Sequence, residues 1–148
     1  MTPYSILFDR FKNKIQDKDL IILTQEEQIE QLNLWLDSAL AYIELDDLKI
    51  KNDLSDRDKN KQQFNVTLLN AEIEVVSLYM VVAWYDIRVN SLEHTLMFFG
   101  SKDEKWTNQK DHLNAIKNTQ EIYRRKAKNY FLNYCIKNNS YLGEKNEI

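Results

Sequence analysis

A chain of 148 residues has the length of one ordinary domain and can bury a real core, and a net charge of −3 argues against a dedicated nucleic-acid binder. Two glycines (Gly100, Gly143) and one proline (Pro3) leave β-sandwich architectures short of turn residues. Helices remain, and a sheet of three or more strands is not expected.

Thr2-Pro3 reads as a helix start, threonine as cap and proline in the first turn. Tyr4, Leu7, Phe8, Phe11 and Ile15 then recur at helical spacing, and Asp17-Lys18-Asp19 ends that helix. Leu20 to Leu23 read as a short extended link with buried side chains. Thr24-Gln25-Glu26-Glu27 is a capping box, in which the Thr24 hydroxyl accepts from the Glu27 amide and the Glu27 carboxylate reaches back. The second helix runs to about Ile43 and buries Ile29, Leu32, Leu36, Ala39, Leu40 and Ile43. Leu34 and Trp35 lie off that stripe, on a side available to a partner.

Residues 44–63 are highly charged and lack a clean period, so they read as a long loop. Leu48-Lys49-Ile50-Lys51 alternates as a short β-arm would; a solvated loop is the other reading. Both this loop and the polar tail 137–148 are expected to order only within an assembly, because neither holds enough apolar surface to offset ordering entropy. Tyr141 and Leu142 are the tail's only apolar handles before the terminal isoleucine.

Asn70 is the expected cap of the next helix, with Glu72 and Glu74 in its first turn. That helix carries the run Val75 to Tyr85, VVSLYMVVAWY, in which one serine interrupts apolar and aromatic side chains. The run is too short for a bilayer, which takes about 20 apolar residues, and charges flank it at Glu74 and Asp86. The opening segment lacks a signal-peptide layout, so a soluble protein retained where it is made is expected. A helix apolar on every side must be covered on every side. Part of this circumference is expected to be left for a neighbour, with Tyr85 on that surface. A shorter helix from Ser91 to Phe99 should stop at Gly100.

Thr107 or Asn108 caps a long last helix to about Ile136, with a seam of Leu113, Ile116, Gln120, Tyr123, Ala127, Tyr130 and Tyr134. Residues 101–139 hold nine Lys/Arg against four Asp/Glu, net +5, and the remainder holds eleven against nineteen, net −8. Lys117, Arg124 and Lys128 recur away from the seam and should be exposed. The whole is therefore an all-α, single-domain bundle of four to five helices, ordered over about 3–136.

Chemistry is sparse. His94 and His112 lack the Glu-x-x-His spacing of di-iron bundles, and no His-Glu-x-x-His motif or second cysteine supports a zinc site. Adjacent Asp111 and His112 diverge by about 100° on a helix. Glu26 and Glu30 read as a solvated face. No catalytic, cofactor-binding or metal-ligating residue is assigned, and Cys135 has no internal disulfide partner.

The order Pro3…Phe11…Ile15, Asp19-Leu20 and Leu23-Thr24-x-x-Glu27 is similar to the opening of the head–tail connector proteins of tailed bacteriophages, also called adaptor, neck or head-completion proteins. Phe64-Asn65-x-x-Leu68-x-x-x-Glu72-Ile73, running on to Met80-Val81-Val82-x-Trp84, resembles the same family more closely, and Leu96…Phe99 and Leu113…Ile116 follow in order. The resemblance covers residues 3 to about 134. It implies a non-enzymatic virion protein, assembled in the host cytoplasm into a ring, typically of twelve subunits, at the capsid–tail junction. Such a ring sits under the portal protein, meets the next neck or tail protein and extends the channel through which DNA passes without sequence-specific contacts. Trp35, Tyr85, Lys117, Arg124, Lys128, Tyr141 and Leu142 are the candidate interaction residues. The rival class is a small helical regulator that binds one host or viral protein through the Trp35 or Tyr85 surface.

Overall fold

A computed structural model describes residues 1–97, 104–138 and 141. Of these described residues 72% are helical, as the expected all-α bundle requires. The helices are α1 (Tyr4–Lys12), α2 (Lys18–Ile22), α3 (Gln25–Leu45), α4 (Asn70–Leu96) and α5 (Glu104–Lys137).

The apolar run sits in the centre, and the chain covers it unaided. From Val75 to Trp84 every residue of α4 is buried, with α1 and α3 packed on it from one part of its circumference and α5 from another. The expected surplus apolar surface is therefore absent: the loop after α3 and Tyr141 close the circumference that helices alone would leave open. The lone serine is tolerated because the Ser77 hydroxyl donates to the Glu74 carbonyl at 2.8 Å. α4 also continues where two helices are expected; Asn90 and Ser91, both exposed, lie inside it, since neither residue type breaks a helix. The proposed stop at Gly100, together with Phe99, lies outside the described residues.

Local signals divide into kept and displaced. The Thr24–Glu27 capping box forms, with the Glu27 amide donating to Thr24 Oγ1 at 3.3 Å and the Thr24 amide to Glu27 Oε2 at 2.9 Å. Residues 20–23 are not an extended link. Asp17 accepts from the amides of Asp19 and Leu20 at 3.0 and 3.2 Å and starts α2, which buries Leu20 but leaves Ile21 and Ile22 exposed. Asn70 does not cap α4, because Arg10 Nη2 donates to its side-chain oxygen at 2.7 Å; the Glu72 carboxylate takes the preceding Leu69 amide instead, at 2.8 Å.

Thr2-Pro3 is strand β1 rather than the start of α1. It pairs antiparallel with β3 (Gln63–Phe64), which pairs antiparallel with β2 (Arg57–Asp58), in the order β1-β3-β2. The expectation of no three-stranded sheet is thus corrected, although each strand is only two residues long. The proline is tolerated because β1 is an edge strand. The strands fall at 57–58 and 63–64, not in the alternating 48–51 stretch, whose Lys51 amide donates to the Tyr141 hydroxyl at 2.8 Å.

The charged segment also makes contacts within the chain. Asp47, at φ 55°, ends α3 in a Schellman turn, with the Leu48 amide donating to Ile43 at 3.3 Å and the Asp47 amide to Glu44 at 3.1 Å. Arg57 pairs with Asp37 at 2.7 Å, and Asn65 donates to Asp56 at 2.9 Å.

Candidate interaction surface

Three polar nodes lie where the helices meet, and each takes up side chains that the sequence leaves free. At the first, Asp46 stands at the C-terminus of α3, an unfavourable end for an anion. Arg124 of α5 grips it through two nitrogens at 2.9 and 2.5 Å, the Tyr79 hydroxyl donates to it at 2.7 Å, and Lys128 stands 3.7 Å away. The Arg124 hydrogen bonds hold the Asp46 carboxyl down at about 2. Next to it, the Tyr42 hydroxyl donates to Asp86 at 2.5 Å; burial, then that hydrogen bond, pushes the Tyr42 phenol up to about 12. Gln120 Nε2 completes the seam, donating to Asp86 at 2.6 Å and to the Val82 carbonyl at 3.0 Å. The polar break in the α5 seam is therefore an α4–α5 fastener.

The second node surrounds Glu72, which is 1% exposed. Its carboxylate accepts from Asn52 Nδ2 at 2.6 Å, from the Leu69 amide at 2.8 Å and from the Tyr141 hydroxyl at 2.9 Å. At the third, Trp84 Nε1 donates to Asp17 at 2.8 Å, with the Arg88 guanidinium 3.6 Å over the indole.

The candidate residues accordingly separate. Trp35 is not on a partner-facing side: it is 7% exposed and packs on Phe11 with ring centroids 5.5 Å apart. Helix rotation places it beside Leu36 on the α4 side, so the stripe is wider than the spacing of its aliphatic residues alone indicates. Tyr85 is half-buried against Trp84 and Tyr123, at 4.9 and 5.9 Å. Lys117 and Lys128 are exposed, as expected, while Arg124 is half-buried; Lys117 pairs with Glu93 at 2.7 Å on the surface, and Arg124 and Lys128 turn toward Asp46. Tyr141 is buried in the Glu72 node rather than loose, while Leu142 lies outside the described residues.

The α5 seam itself is rotated near its end. Ala127, Phe131 and Cys135 are buried at steps of four, whereas Tyr130 is exposed and Tyr134 half-buried. Ile29 of α3 is exposed as well. The outer face of α5 then presents Ile122, Arg125, Lys126, Asn129, Tyr130 and Asn133 around a shallow groove of about 460 Å³. Neither Arg125 nor Lys126 has an ion-pair partner among the described residues.

A larger cleft of about 850 Å³ lies between α3 and the charged segment, but its Asp37 is already paired with Arg57. The strongly shifted Asp46 and Tyr42 are moved away from neutrality, opposite to the tuning that general acid–base catalysis needs. Among the described residues no group of three His, Cys, Asp or Glu is arranged to hold a metal, and no helix is long and apolar enough to cross a membrane. Comparison with known protein families, curated proteins and solved structures finds no match.

Proposed function

We propose that the chain is a structural subunit of a tailed-phage neck. In this reading copies form a closed ring, twelve-fold as is typical of connectors, between the portal protein and the next neck or tail protein. The ring extends the DNA channel, works without cofactor or catalysis, and is assembled in the host cytoplasm into the virion. The observation that carries this reading is the division of charge about α4: the net +5 lies over residues 101–139, which include α5, and the acidic excess lies elsewhere, notably along the outer side of α3. A ring repeats one heterologous contact, which needs two unlike complementary patches on each subunit. The sequence resemblance supports the same reading, since its longest stretch, Phe64 to Trp84, runs from the last residue of β3 through the buried part of α4.

The regulatory alternative loses one of its two contact residues, because Trp35 is in the core. Disrupting the reading frame in the virus that encodes it tests the proposal. DNA-filled heads without joined tails are the expected product; normal yields of tailed infectious particles would refute it.

A further inference from the structure

Lys117, Arg124 and Lys128 each have a carboxylate partner within the subunit, Lys117 and Lys128 at its surface. The charge on α5 that has no such partner is elsewhere. Arg125 and Lys126 stand on its outward face, within a stripe of Ile122, Leu132 and Ile136, whose exposures lie between 56% and 65%. Residues 122, 125, 129, 132 and 136 alternate steps of three and four, so they form one row along the helix. These exposed aliphatic side chains flank Arg125, which has no ion-pair partner among the described residues, and Lys126, whose Nζ stands 5.8 Å over the Tyr123 ring.

The same molecule carries the complement. The outward side of α3 contains Glu26, Glu30, Leu34 and Leu45, all exposed; on the same side Asp37 is paired with Arg57 and Lys59, and exposed Ala41 and Glu44 line the cleft against the charged segment. None of these three glutamates has an ion-pair partner among the described residues. At 1.5 Å per residue each row is about 20 to 30 Å long, so the two can be laid side by side. α3 and α5 both pack on α4, each with its outward row turned away from it.

We infer that the outward row of α5, centred on Ile122, Arg125 and Lys126, docks on the outward row of α3 of a second copy of this chain. Arg125 and Lys126 meet Glu26 and Glu30 within the contact, and the aliphatic groups flank them, Ile122 on one side and Leu132 and Ile136 on the other. This deepens the connector reading and rests on it for ring closure. A nucleic-acid partner would meet the cations but leave three aliphatic side chains against phosphate, which gives them nothing. The contact is heterologous, so each copy keeps one free row of each kind until a ring closes.

Sedimentation velocity on the full chain tests the pairing with two variants. In Arg125→Glu/Lys126→Glu both rows are acidic; in Glu26→Lys/Glu30→Lys both are basic. The wild-type chain should self-associate, each variant alone should do so at least about tenfold more weakly, since like charges then face each other, and an equimolar mixture should recover association through alternating copies. Unchanged thermal melts check the fold; if a double variant melts early, Arg125→Glu and Glu30→Lys are tested in the same way. A wild-type chain that stays monomeric at all concentrations, a variant that associates like wild type, or a mixture that fails to recover would overturn the inference. So would self-association that is unchanged in the first variant while binding to duplex DNA is lost. Association through other faces would leave the connector reading intact, whereas confirmed pairing with normal tailed particles after gene disruption would sink that reading alone.

Discussion

The Tyr141 hydroxyl donates to the buried Glu72 carboxylate at 2.9 Å and accepts from the Lys51 amide at 2.8 Å, so one phenol joins the C-terminal segment, the charged segment and the central helix. Its ring also meets Phe131 and Tyr134 edge-on, at 5.7 and 5.3 Å. Tyr141→Phe keeps those ring contacts but removes a donor from a buried charge, which should cost about 1–3 kcal/mol. Urea unfolding of the two proteins checks this; a change below a few tenths of a kcal/mol would mean that the remaining donors satisfy Glu72 without the phenol.

Acid should loosen the α3–α5 junction. The Asp46 carboxyl is held at about 2 in the fold, against an ordinary value near 3.9 in the unfolded chain. A depressed carboxyl contributes stability that is fully present above the unfolded value and is lost as pH falls through the folded one. Unfolding midpoints should therefore drop between about pH 4 and pH 2, and Asp46→Asn should start lower at neutral pH and show a shallower acid slope. Parallel pH profiles for the two proteins would contradict the assignment of that slope to Asp46.

Asp47 is the easiest position to improve. It occupies the left-handed region at φ 55° in the turn that ends α3, where glycine has no side-chain penalty. It is also a second carboxylate at a helix C-terminus, held only by an exposed pair with Lys49. Asp47→Gly should stabilise the chain by about 0.5–1 kcal/mol, read as a higher urea midpoint. A loss of stability would show that the Lys49 pair outweighs the backbone term.

Asp17 serves both the α2 cap and the Trp84 indole. Asp17→Ala removes both acceptors and should cost about 1–2 kcal/mol. The loss should be accompanied by a change in tryptophan emission in the folded protein, as Trp84 loses its partner and Arg88 loses its anchor. Folded-state emission identical to wild type would place the energetic role in the cap alone.

Much of this architecture was legible in the sequence, because α1, α3 and α5 advertise themselves by apolar spacing and the α3 start by its capping box. What was not legible depends on pairs distant in sequence. Nothing near Thr2-Pro3 announces that Gln63-Phe64 will pair with it, and local helix-start signals lose to that pairing. The covering of α4 could not be judged by counting helices, since the last part comes from residues 48–54 and Tyr141. Arg124 and Trp35 share one lesson. A long side chain beside a seam reaches into it, toward Asp46 or Phe11, so the edge of a helical stripe is a poor guide to exposure. Arg125 and Lys126, the cations without a carboxylate partner, became distinguishable only once the ion-paired ones were known.

The neck of intact particles is where the central claim meets its most direct test. In the tailed phage to which the proposal assigns this chain, cryo-electron microscopy of the portal–tail junction should reveal a closed ring of copies beneath the portal, each α5 lying against the α3 of its neighbour. Particles whose junction lacks this chain, or which carry it elsewhere, would contradict the account.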